Sequence, residues 1–388
     1  MIRVAILGST GSIGRATLSV IARHSDRFQV VAICAYSSVS DVAAQVVEHH
    51  VPVAVIADPE ALNGIDHLPK AEWKSGYAGV LEIVQDENVD VVVNAIVGSA
   101  GLEATLAALG AGKRLALANK ESLVAGGSLV IEAARSGGGE LIPIDSEHSA
   151  ILQCLEGHDP ESVARLVLTA SGGPFRGLDK DALETVGPDD ALRHPTWEMG
   201  RKITVDSATL ANKALEVIEA HFLYGIDYER IDAIVHPQSI VHSFVEFADG
   251  SVLAQLGFPT MELPILYALS HPARVADASL RTFDPVRSSP LTFEKIDQEL
   301  FGLFALGVAA GVRGGTAPAV FNAANEIAVQ AFLSQDIRFL EMPDVVAHAL
   351  DSVPQRNVET LDDVLDADSA ARIAAREFMS FPRSLVGD

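Results

Sequence analysis

The first 145 residues alternate short apolar runs with amphipathic stretches. The apolar runs are rich in Val, Ile and Ala, and they predict strands at residues 3–7, 29–35, 53–57, 89–96, 114–118 and 140–144. Helical periodicity is found between them, for example at residues 16–24, 42–49 and 102–109. Continuous apolar strands separated by helices indicate a parallel sheet covered on both faces. We therefore expect the α/β class, with a doubly wound parallel sheet that forms a nucleotide-binding domain.

The pattern changes in the middle third of the chain. Residues 163–169 predict one more strand, and residues 171–201 then contain glycines, prolines and scattered charges without sustained periodicity. A loop of that length inside a compact domain is usually either functional or disordered. A helix is predicted over residues 207–223, and a hairpin follows in which residues 241–247 and 251–256 flank an Asp-Gly turn. These elements indicate an α+β catalytic domain.

The last third is predicted to be helical after a linker. Residues 271–299 contain three prolines and few periodic runs, whereas 319–333 and 369–379 have helical periodicity. We expect a small C-terminal helical bundle there. The predicted organisation is a dinucleotide-binding domain (1–145), a catalytic, metal and substrate domain with a lid loop near 181–203 (146–270), a linker (271–299) and a helical C-terminal domain (300–388).

The net charge of the chain limits the classes of partner that it can bind. The 388 residues include 28 basic and 52 acidic side chains, a formal net charge of −24. Such a surface repels nucleic acid and anionic lipid, so we expect neither a nucleic-acid nor a membrane partner, and an anionic substrate must be bound by a few local cations.

Cys34 and Cys154 are far apart and outside any CxxC motif. They predict reduced, buried thiols in a cytoplasmic protein.

A glycine-rich turn joins the first predicted strand to the first predicted helix. It contains Gly8, Gly11 and Gly14, a spacing that lets the backbone approach a pyrophosphate at a helix N-terminus. A tight connection without a ligand is the alternative.

The end of the second predicted strand usually indicates which dinucleotide is bound. It is Ala35-Tyr36-Ser37-Ser38, where no acid occurs before Asp41 and no Lys or Arg occurs between Arg27 and Lys70. This pattern permits NADP but does not provide the cation that normally selects it.

Three polar segments each have a functional and an ordinary interpretation. Asp145-Ser146-Glu147-His148 follows the sixth strand, and is either a common helix start or a site where Asp145 and Glu147 converge on a hard cation. Thr209, Asn212, Lys213 and Glu216 lie on one face of the predicted helix 207–223, which is either solvated or a binding surface. Ser171-Gly172-Gly173-Pro174 is either an anion-binding turn or only a turn.

The loop at residues 194–200 contains Trp197 and Met199 among polar neighbours. Such side chains need an apolar surface to cover. Either the segment closes as a lid over a site, or it packs permanently on the domain surface.

Several segments together resemble the 1-deoxy-D-xylulose-5-phosphate reductoisomerase family, in order and in approximate spacing, from residue 1 to about residue 380. They are Gly8 to Gly14, Ala118-Asn119-Lys120-Glu121-Ser122, Asp145 to His148, Ser171 to Arg176, His194 to Arg201, Asp206 to Thr209 with Asn212-Lys213, and Asn322-Ala323-Ala324-Asn325-Glu326. Several motifs that match in order are far more specific than any one of them.

The resemblance implies a homodimeric enzyme of the non-mevalonate isoprenoid precursor pathway that converts a phosphorylated sugar, 1-deoxy-D-xylulose 5-phosphate, into 2-C-methyl-D-erythritol 4-phosphate. The carbon skeleton is rearranged, with a retro-aldol/aldol route favoured, and NADPH then reduces the aldehyde. The resemblance also implies three ligands for a divalent metal, Mg²⁺ or Mn²⁺: Asp145, Glu147 and Glu216. An all-carboxylate set suits such a hard ion.

The same resemblance assigns the remaining site residues. The catalytic residues are Lys120, Glu147 and His194. Substrate binding is assigned to Lys120, Ser146, Glu147, Ser171, His194, Trp197, Met199, Ser207, Asn212, Lys213 and Glu216, with Trp197 and Met199 in the lid. Cofactor binding is assigned to Thr10, Gly11, Ser12, Ile13, Asn119, Glu121 and Gly200, and Ser37 and Ser38 are the candidates for contact with the 2′-phosphate.

The chain departs from the family pattern twice. Tyr36-Ser37-Ser38 stands where the family commonly has a small residue, a Lys or Arg, and an Asn, so we expect NADPH to be preferred by a reduced margin. Pro259-Thr260-Met261-Glu262 replaces the usual Pro-Asp-Met-Arg and reverses one charge.

Two other functions fit part of the pattern. An ordinary dehydrogenase of this sheet type would act without rearrangement, and its semialdehyde version needs a catalytic cysteine in a βα turn, a position that Cys154 does not occupy. A dinucleotide-sensing scaffold would have lost part of the carboxylate set or Lys213, and all of these are present.

Overall fold

The structure is a computed structural model that describes residues 1–63, 65, 67–197 and 199–380. The chain divides into two compact units. The first unit contains Met1–Ser122, Leu129–Ser149 and Thr260–Arg281, and the second contains Leu123–Ser128, Ala150–Pro259 and the chain from Thr282 onward. The four-part domain division remains a prediction.

The first unit is built on a seven-stranded sheet in which every described strand pair is parallel. Its strands are β1 (Ile2–Leu7), β2 (Phe28–Ala35), β3 (Val53–Ile56), β4 (Glu72–Ser75), β5 (Val91–Asn94), β6 (Arg114–Leu117) and β7 (Glu140–Pro143). Their order is β4-β3-β2-β1-β5-β6-β7, so the direction of winding reverses between β1 and β5. Ligands of doubly wound sheets bind at such a switch point. The predicted α/β class is confirmed.

Helices account for most of the remaining regular structure. They are α1 (Ser12–Arg23), α2 (Val39–His49), α3 (Gly76–Gln85), α4 (Leu102–Gly110), α5 (Lys120–Gly137), α6 (Ser146–Leu155), α7 (Lys180–Leu183), α8 (Pro188–Ala191), α9 (Arg201–Ala208), α10 (Ala211–Tyr224), α11 (Glu262–Ser270), α12 (Gly302–Arg313), α13 (Ala317–Leu333), α14 (Met342–Ser352) and α15 (Leu361–Ser380). Short 3₁₀ turns occur at Pro59–Leu62, Ser99–Gly101, Pro160–Ser162, Tyr228–Arg230 and Phe339–Glu341. No helix within the described ranges has the length and apolarity needed to cross a bilayer.

A mixed five-stranded sheet lies in the second unit. Its strands are β8 (Val163–Ala170), β9 (Ile231–Val235), β10 (Val241–Phe247), β11 (Val252–Leu256) and β12 (Glu294–Lys295), in the order β11-β10-β8-β9-β12. The predicted hairpin is confirmed as the antiparallel pair β10 and β11. The core of this unit combines apolar side chains of β8 and α10 with those of α13, for example Leu168, Leu215 and Phe321. The predicted helical C-terminal segment therefore shares a core with the sheet that precedes it.

The prediction of one helix over residues 207–223 is wrong. Two helices occur there, α9 and α10, and Leu210 separates them with a left-handed φ of 58°. That conformation ends the first helix and starts the next in a new direction. The polar strand β4 was also missed, because it is specified by its pairing with β3 at the sheet edge and not by an apolar pattern.

The reversed charge at Glu262 has a partner in the first unit. The Glu262 carboxylate pairs with the Arg23 guanidinium of α1 at 2.9 Å, and both side chains are partly buried. Arg23 also contacts Asp277 at 3.0 Å. Arg23 therefore ties the segment around α11 to α1, and an arginine at position 262 would meet a like charge there.

Candidate active site

The glycine turn follows β1 at the switch point of the parallel sheet. A Cβ atom on Gly8 would overlap the carbonyl oxygen of Ala95, and one on Gly14 would overlap the carbonyl oxygen of Gly8. Helix α1 then begins at Ser12, and its N-cap Gly11 has no side chain to accept the first N–H groups. These features fit a pyrophosphate, whose oxygens accept such N–H groups. Thr10, Gly11, Ser12 and Ile13 all lie in this turn or in the first turn of α1.

The turn is braced from β2 and α2. The carbonyl oxygen of Cys34 accepts the N–H groups of Gly8 and Ser9 at 2.8 and 2.9 Å. The Ser9 hydroxyl donates to Gln45 Oε1 at 2.7 Å, and Gln45 Nε2 donates to the Ser9 carbonyl at 2.9 Å. Ser9 and Gln45 are both buried, so these bonds are shielded from water and fix the shape of the turn.

Asn119 and Glu121 follow β6 in the same unit. Asn119 Nδ2 donates to the carbonyl oxygens of Ile96 and Gly98 at 2.7 and 2.8 Å, and to Glu121 Oε2 at 3.0 Å. Its Oδ1 accepts the N–H of Ser122 and so caps α5. These bonds join the ends of β5 and β6, where the parallel sheet is expected to receive its ligand.

Lys120 and Asp145 are the first charged pair of the site. Lys120 Nζ lies 2.7 Å from Asp145 Oδ2, and both side chains are largely buried. Asp145 follows β7, and Ser146 starts α6, so the ordinary helix start does occur here. The Ser146 hydroxyl donates to Glu147 Oε2 at 2.5 Å. Two carboxylates with a lysine and a hydroxyl therefore stand at the ends of β6 and β7.

His194 is the centre of a hydroxyl cluster in the second unit. Its Nε2 lies 2.9 Å from Ser171 Oγ and 3.1 Å from Ser207 Oγ. Its Nδ1 accepts backbone N–H groups from Thr196 and Trp197 at 3.1 and 2.9 Å. Nδ1 must be unprotonated to accept them, so the neutral ring carries its proton on Nε2. Burial lowers the pKa of His194 below its ordinary value of 6.5, which keeps the ring neutral at neutral pH.

The backbone brings Ser171 to this cluster through two successive glycines. Gly172 and Gly173 have φ values of 85° and 66°, and a Cβ on Gly173 would lie 2.6 Å from the carbonyl oxygen of Ser207. The Gly173 N–H donates to Ser171 Oγ at 3.2 Å. Only glycine permits this close approach of the turn to the end of α9.

Asp206, the residue before Ser207, makes two polar contacts that were not predicted. Its buried carboxylate accepts a hydrogen bond from Asn325 Nδ2 at 2.7 Å and pairs with Lys202 Nζ at 3.0 Å. Asp206 and Asn325 both belong to the segments that carry the family resemblance. The sequence gives no indication, however, that residues 119 positions apart form a pair.

Asn212, Lys213 and Glu216 lie on the first turns of α10. The Glu216 carboxylate accepts a hydrogen bond from Asn212 Nδ2 at 2.5 Å and is paired with Lys213 Nζ. The side chains of Lys213 and Glu216 are 3% and 1% exposed. The interpretation of this face as solvated is therefore wrong. A buried carboxylate surrounded by oxygen and nitrogen groups fits a hard cation and not a soft one.

Trp197 and Met199 are both partly buried in the second unit, and Gly200 is the N-cap of α9. The lid assignment of the segment near residues 181–203 remains a prediction. Glu198, which lies within the motif, is outside the described residues. Ser37 and Ser38 follow β2 in the first unit and are exposed.

Comparison with known proteins decides the family. Three family models match the chain: 1-deoxy-D-xylulose 5-phosphate reductoisomerase over residues 4–127, the C-terminal domain of that protein over residues 141–224, and a DXP reductoisomerase C-terminal domain over residues 256–374. The chain is 50% identical over 385 residues to the 1-deoxy-D-xylulose 5-phosphate reductoisomerase of Cupriavidus necator, covering 97% of this chain and 98% of that one. The chain belongs to the 1-deoxy-D-xylulose 5-phosphate reductoisomerase family.

Solved reductoisomerase structures share the fold. The Zymomonas mobilis enzyme in complex with NADPH is 43% identical with a TM-score of 0.90, and the match covers 98% of this chain and all of that one. A DOX-P reductoisomerase in complex with NADPH, fosmidomycin and magnesium is 39% identical with a TM-score of 0.91, and the match covers 98% of both chains.

Proposed function

We propose that this chain is an NADPH-dependent, metal-assisted reductoisomerase that converts 1-deoxy-D-xylulose 5-phosphate into 2-C-methyl-D-erythritol 4-phosphate for isoprenoid precursor synthesis. The observation that carries the proposal is the complete set of polar side chains from the family motifs, in a chain 50% identical over 97% of its length to a reductoisomerase. The related crystal structure with NADPH, fosmidomycin and magnesium supports the same cofactors for this chain.

The substrate phosphate is assigned to the second unit. Ser171 and Ser207 supply hydroxyl groups on either side of the His194 Nε2–H, and Asn212 and Lys213 supply an amide and an ammonium group. Hydrogen bonds from a charged donor to a phosphate are about twice as strong as neutral ones. Lys213 is the proposed local cation that attracts the phosphate against the repulsion from a net charge of −24.

The metal is assigned to Asp145, Glu147 and Glu216. These three carboxylates offer only oxygen ligands, which suits Mg²⁺ or Mn²⁺. When bound, the ion supplies positive charge that polarises the substrate carbonyl and holds its oxygens. Lys120, Ser146 and Asn212, which contact these carboxylates, orient the ligand atoms.

Lys120, Glu147 and His194 are the proposed catalytic residues. We propose that Lys120, whose Nζ lies 2.7 Å from Asp145 Oδ2, donates a proton to a substrate oxygen. His194 presents an Nε2–H and is therefore a hydrogen-bond donor in its resting state. For Nε2 to act as a base, the ring proton would have to move to Nδ1, which would break the hydrogen bonds that Nδ1 accepts from Thr196 and Trp197.

NADPH supplies the hydride for the reduction step. We assign its pyrophosphate to Thr10, Gly11, Ser12 and Ile13, and further cofactor contacts to Asn119, Glu121 and Gly200. Ser37 and Ser38 follow β2, where the ribose of a dinucleotide lies in this type of sheet. Their exposed hydroxyls are available to a 2′-phosphate.

The thiols argue against a cysteine-dependent dehydrogenase. Burial raises the pKa of the Cys34 thiol to about 12, and Cys154 is also buried. A thiol must ionise and be accessible to act as a nucleophile. Neither cysteine forms a disulfide, which agrees with a cytoplasmic location.

The functional unit is proposed to be a homodimer joined through β11. This strand lies at the edge of its sheet and exposes Val252, Leu253 and Leu256, with Val252 54% exposed. An unprotected apolar edge strand pairs readily with a second copy. Light scattering should give twice the chain mass of 41.0 kDa for the wild type and the single mass for Val252→Lys. Val286→Lys, at a loop position that is 86% exposed, is the matched control.

The reaction is tested by following the absorbance of reduced nicotinamide. Purified protein should oxidise NADPH only when 1-deoxy-D-xylulose 5-phosphate and a divalent ion are both present. Equal oxidation after removal of the ion with EDTA and dialysis would contradict the metal assignment. No oxidation under any of these conditions would contradict the proposed activity.

A further inference from the structure

The segment after β2 contains no basic side chain, because no lysine or arginine occurs between Arg27 and Lys70. A cation at this point is what normally distinguishes the 2′-phosphate of NADPH from the 2′-hydroxyl of NADH. The structure brings one to the same place from another element. Arg15, on the first turn of α1, extends to the start of α2.

Arg15 is held by two hydrogen bonds. Its Nε donates to the carbonyl oxygen of Thr10 at 2.8 Å, and its Nη2 donates to Asp41 Oδ2 at 3.1 Å. Thr10 belongs to the glycine turn, and Asp41 lies in the first turn of α2, three residues after Ser38. The guanidinium group therefore connects the turn assigned to the pyrophosphate with the segment assigned to the adenosine ribose.

The guanidinium keeps donors for a ligand. Arginine has five N–H groups, and the two bonds to Thr10 and Asp41 use two of them. The side chain is 57% exposed. The other donors on Nη1 and Nη2 have no further hydrogen-bond acceptor among the residues that the structure describes, and a phosphate is the acceptor that best matches their planar arrangement.

We propose that Arg15 is the residue that selects the 2′-phosphate of NADPH in this chain, and that Asp41 limits the strength of this selection. This inference rests on the proposed NADPH-dependent function and names the cation that positions 36–38 lack. Ser37 and Ser38 then contribute neutral hydrogen bonds beside a charged one. Arg15 on α1 thus takes over the role of the basic residue that the family commonly has at positions 36–38.

The proposal predicts opposite changes in NADPH preference for variants of Arg15 and of Asp41. With Arg15 present, the Asp41 carboxylate is neutralised by the ion pair. Without Arg15, Asp41 remains as an acid after β2, which repels a 2′-phosphate and accepts hydrogen bonds from a ribose hydroxyl. Removing the Asp41 charge instead leaves Arg15 with its full charge available to the phosphate.

The test measures binding of NADPH and NADH separately, by nicotinamide fluorescence, to the full-length wild type and to Arg15→Ala, Arg15→Lys and Asp41→Asn. Loss of the charged donor in Arg15→Ala should weaken NADPH binding about tenfold and leave NADH binding nearly unchanged. Arg15→Lys should retain part of the preference. Asp41→Asn should increase it.

Arg27→Ala is the control, because it removes the same charge from an exposed side chain beyond the other end of α1. It should leave the NADPH to NADH affinity ratio at the wild-type value. Equal ratios for Arg15→Ala and the wild type would overturn the proposal. Should Arg15→Ala fail to fold in a thermal unfolding control, Asp41→Asn decides, and an unchanged or lowered ratio there overturns the proposal.

Measuring binding and turnover separately distinguishes a failure of the Arg15 proposal from a failure of the proposed function. A wild type that prefers NADPH through Arg15 but never oxidises it in the presence of substrate would contradict the proposed function and retain the inference. Normal turnover by the wild type, together with an NADPH to NADH affinity ratio that does not change in Arg15→Ala, would support the proposed function and contradict the inference.

Discussion

The Nε2 atom of His194 lies 2.9 Å from the Oγ atom of Ser171. Because Nδ1 of the same ring accepts two backbone N–H groups, Nε2 carries the proton and His194 donates toward the hydroxyl cluster. A protonated ring would place a second N–H against those backbone donors. The hydrogen bonds and the partial burial of the ring therefore both favour the neutral form.

This arrangement predicts how acid affects stability. Because the folded-state pKa of His194 is lowered, the unfolded chain takes up a proton near pH 6.5 that the folded chain does not take up until lower pH. The stability contributed by the neutral ring is thus present above pH 6.5 and is lost as the pH falls. We expect the Tm of the wild type to fall more than that of His194→Gln between about pH 7.5 and about pH 5.5. Equal falls, or a larger fall in the variant, would show that His194 titrates normally.

The buried pair on α10 predicts a combined stability and metal effect. Glu216→Gln leaves the Lys213 ammonium group buried without its carboxylate, which should cost about 3 kcal/mol. The variant should also lose the increase in Tm that Mg²⁺ gives the wild type, since ligand binding to the folded state is stabilising. Fluorescence titration should show nucleotide binding nearly intact.

Glu82→Gln is the control for this measurement. Glu82 also pairs with a lysine, Lys74, at 2.6 Å, but its side chain is 61% exposed. Its loss should cost less than about 1 kcal/mol and leave the Mg²⁺ effect in place. If Glu216→Gln responded to Mg²⁺ as strongly as the wild type, Glu216 would not be a ligand.

Trp197 is predicted to act in substrate binding and not in folding. Trp197→Ala keeps the backbone N–H that donates to His194 and removes only the partly buried indole. A lid that excludes water from reactive fragments needs that surface only when substrate is bound. We expect KM to rise about tenfold, a loss of about 1.4 kcal/mol in binding, with little change in Tm.

Trp73, the other tryptophan of the chain, provides the comparison. Trp73 lies in β4, and its indole N–H donates to the carbonyl oxygen of Pro69 at 3.0 Å. Trp73→Ala should lower Tm and leave KM unchanged. The opposite result for Trp197→Ala, a large fall in Tm with unaltered kinetics, would make Trp197 a permanently packed residue.

The sequence predicted the features that depend on local pattern. The parallel strands follow from continuous apolar runs, and the position of the glycine turn follows from its place directly after the first of these runs. The polar strand β4 and the break at Leu210 did not follow, because each depends on partners elsewhere in the fold. Periodicity alone could not distinguish a solvated from a buried face for Lys213 and Glu216 either.

Long-range charge pairs were the least predictable part of the structure. Glu262 and Arg23 are 239 residues apart, and their pairing accounts for a charge that contradicts the family pattern. The sequence does not indicate Arg15 as such a cation, because the cation that normally recognises a 2′-phosphate follows β2, whereas this guanidinium comes from α1. A side chain on a helix can extend to a neighbouring loop, and no linear spacing indicates this.

The most direct test of the central claim is the structure of the carbon skeleton that the enzyme produces. The purified chain should be incubated with 1-deoxy-D-xylulose 5-phosphate, NADPH and Mg²⁺, and the product examined by proton NMR. Rearrangement followed by reduction predicts the branched 2-C-methyl-D-erythritol 4-phosphate, whose methyl group sits on a carbon without hydrogen and gives a singlet. A methyl doublet from an unbranched, directly reduced sugar phosphate would contradict the account and indicate an ordinary dehydrogenase.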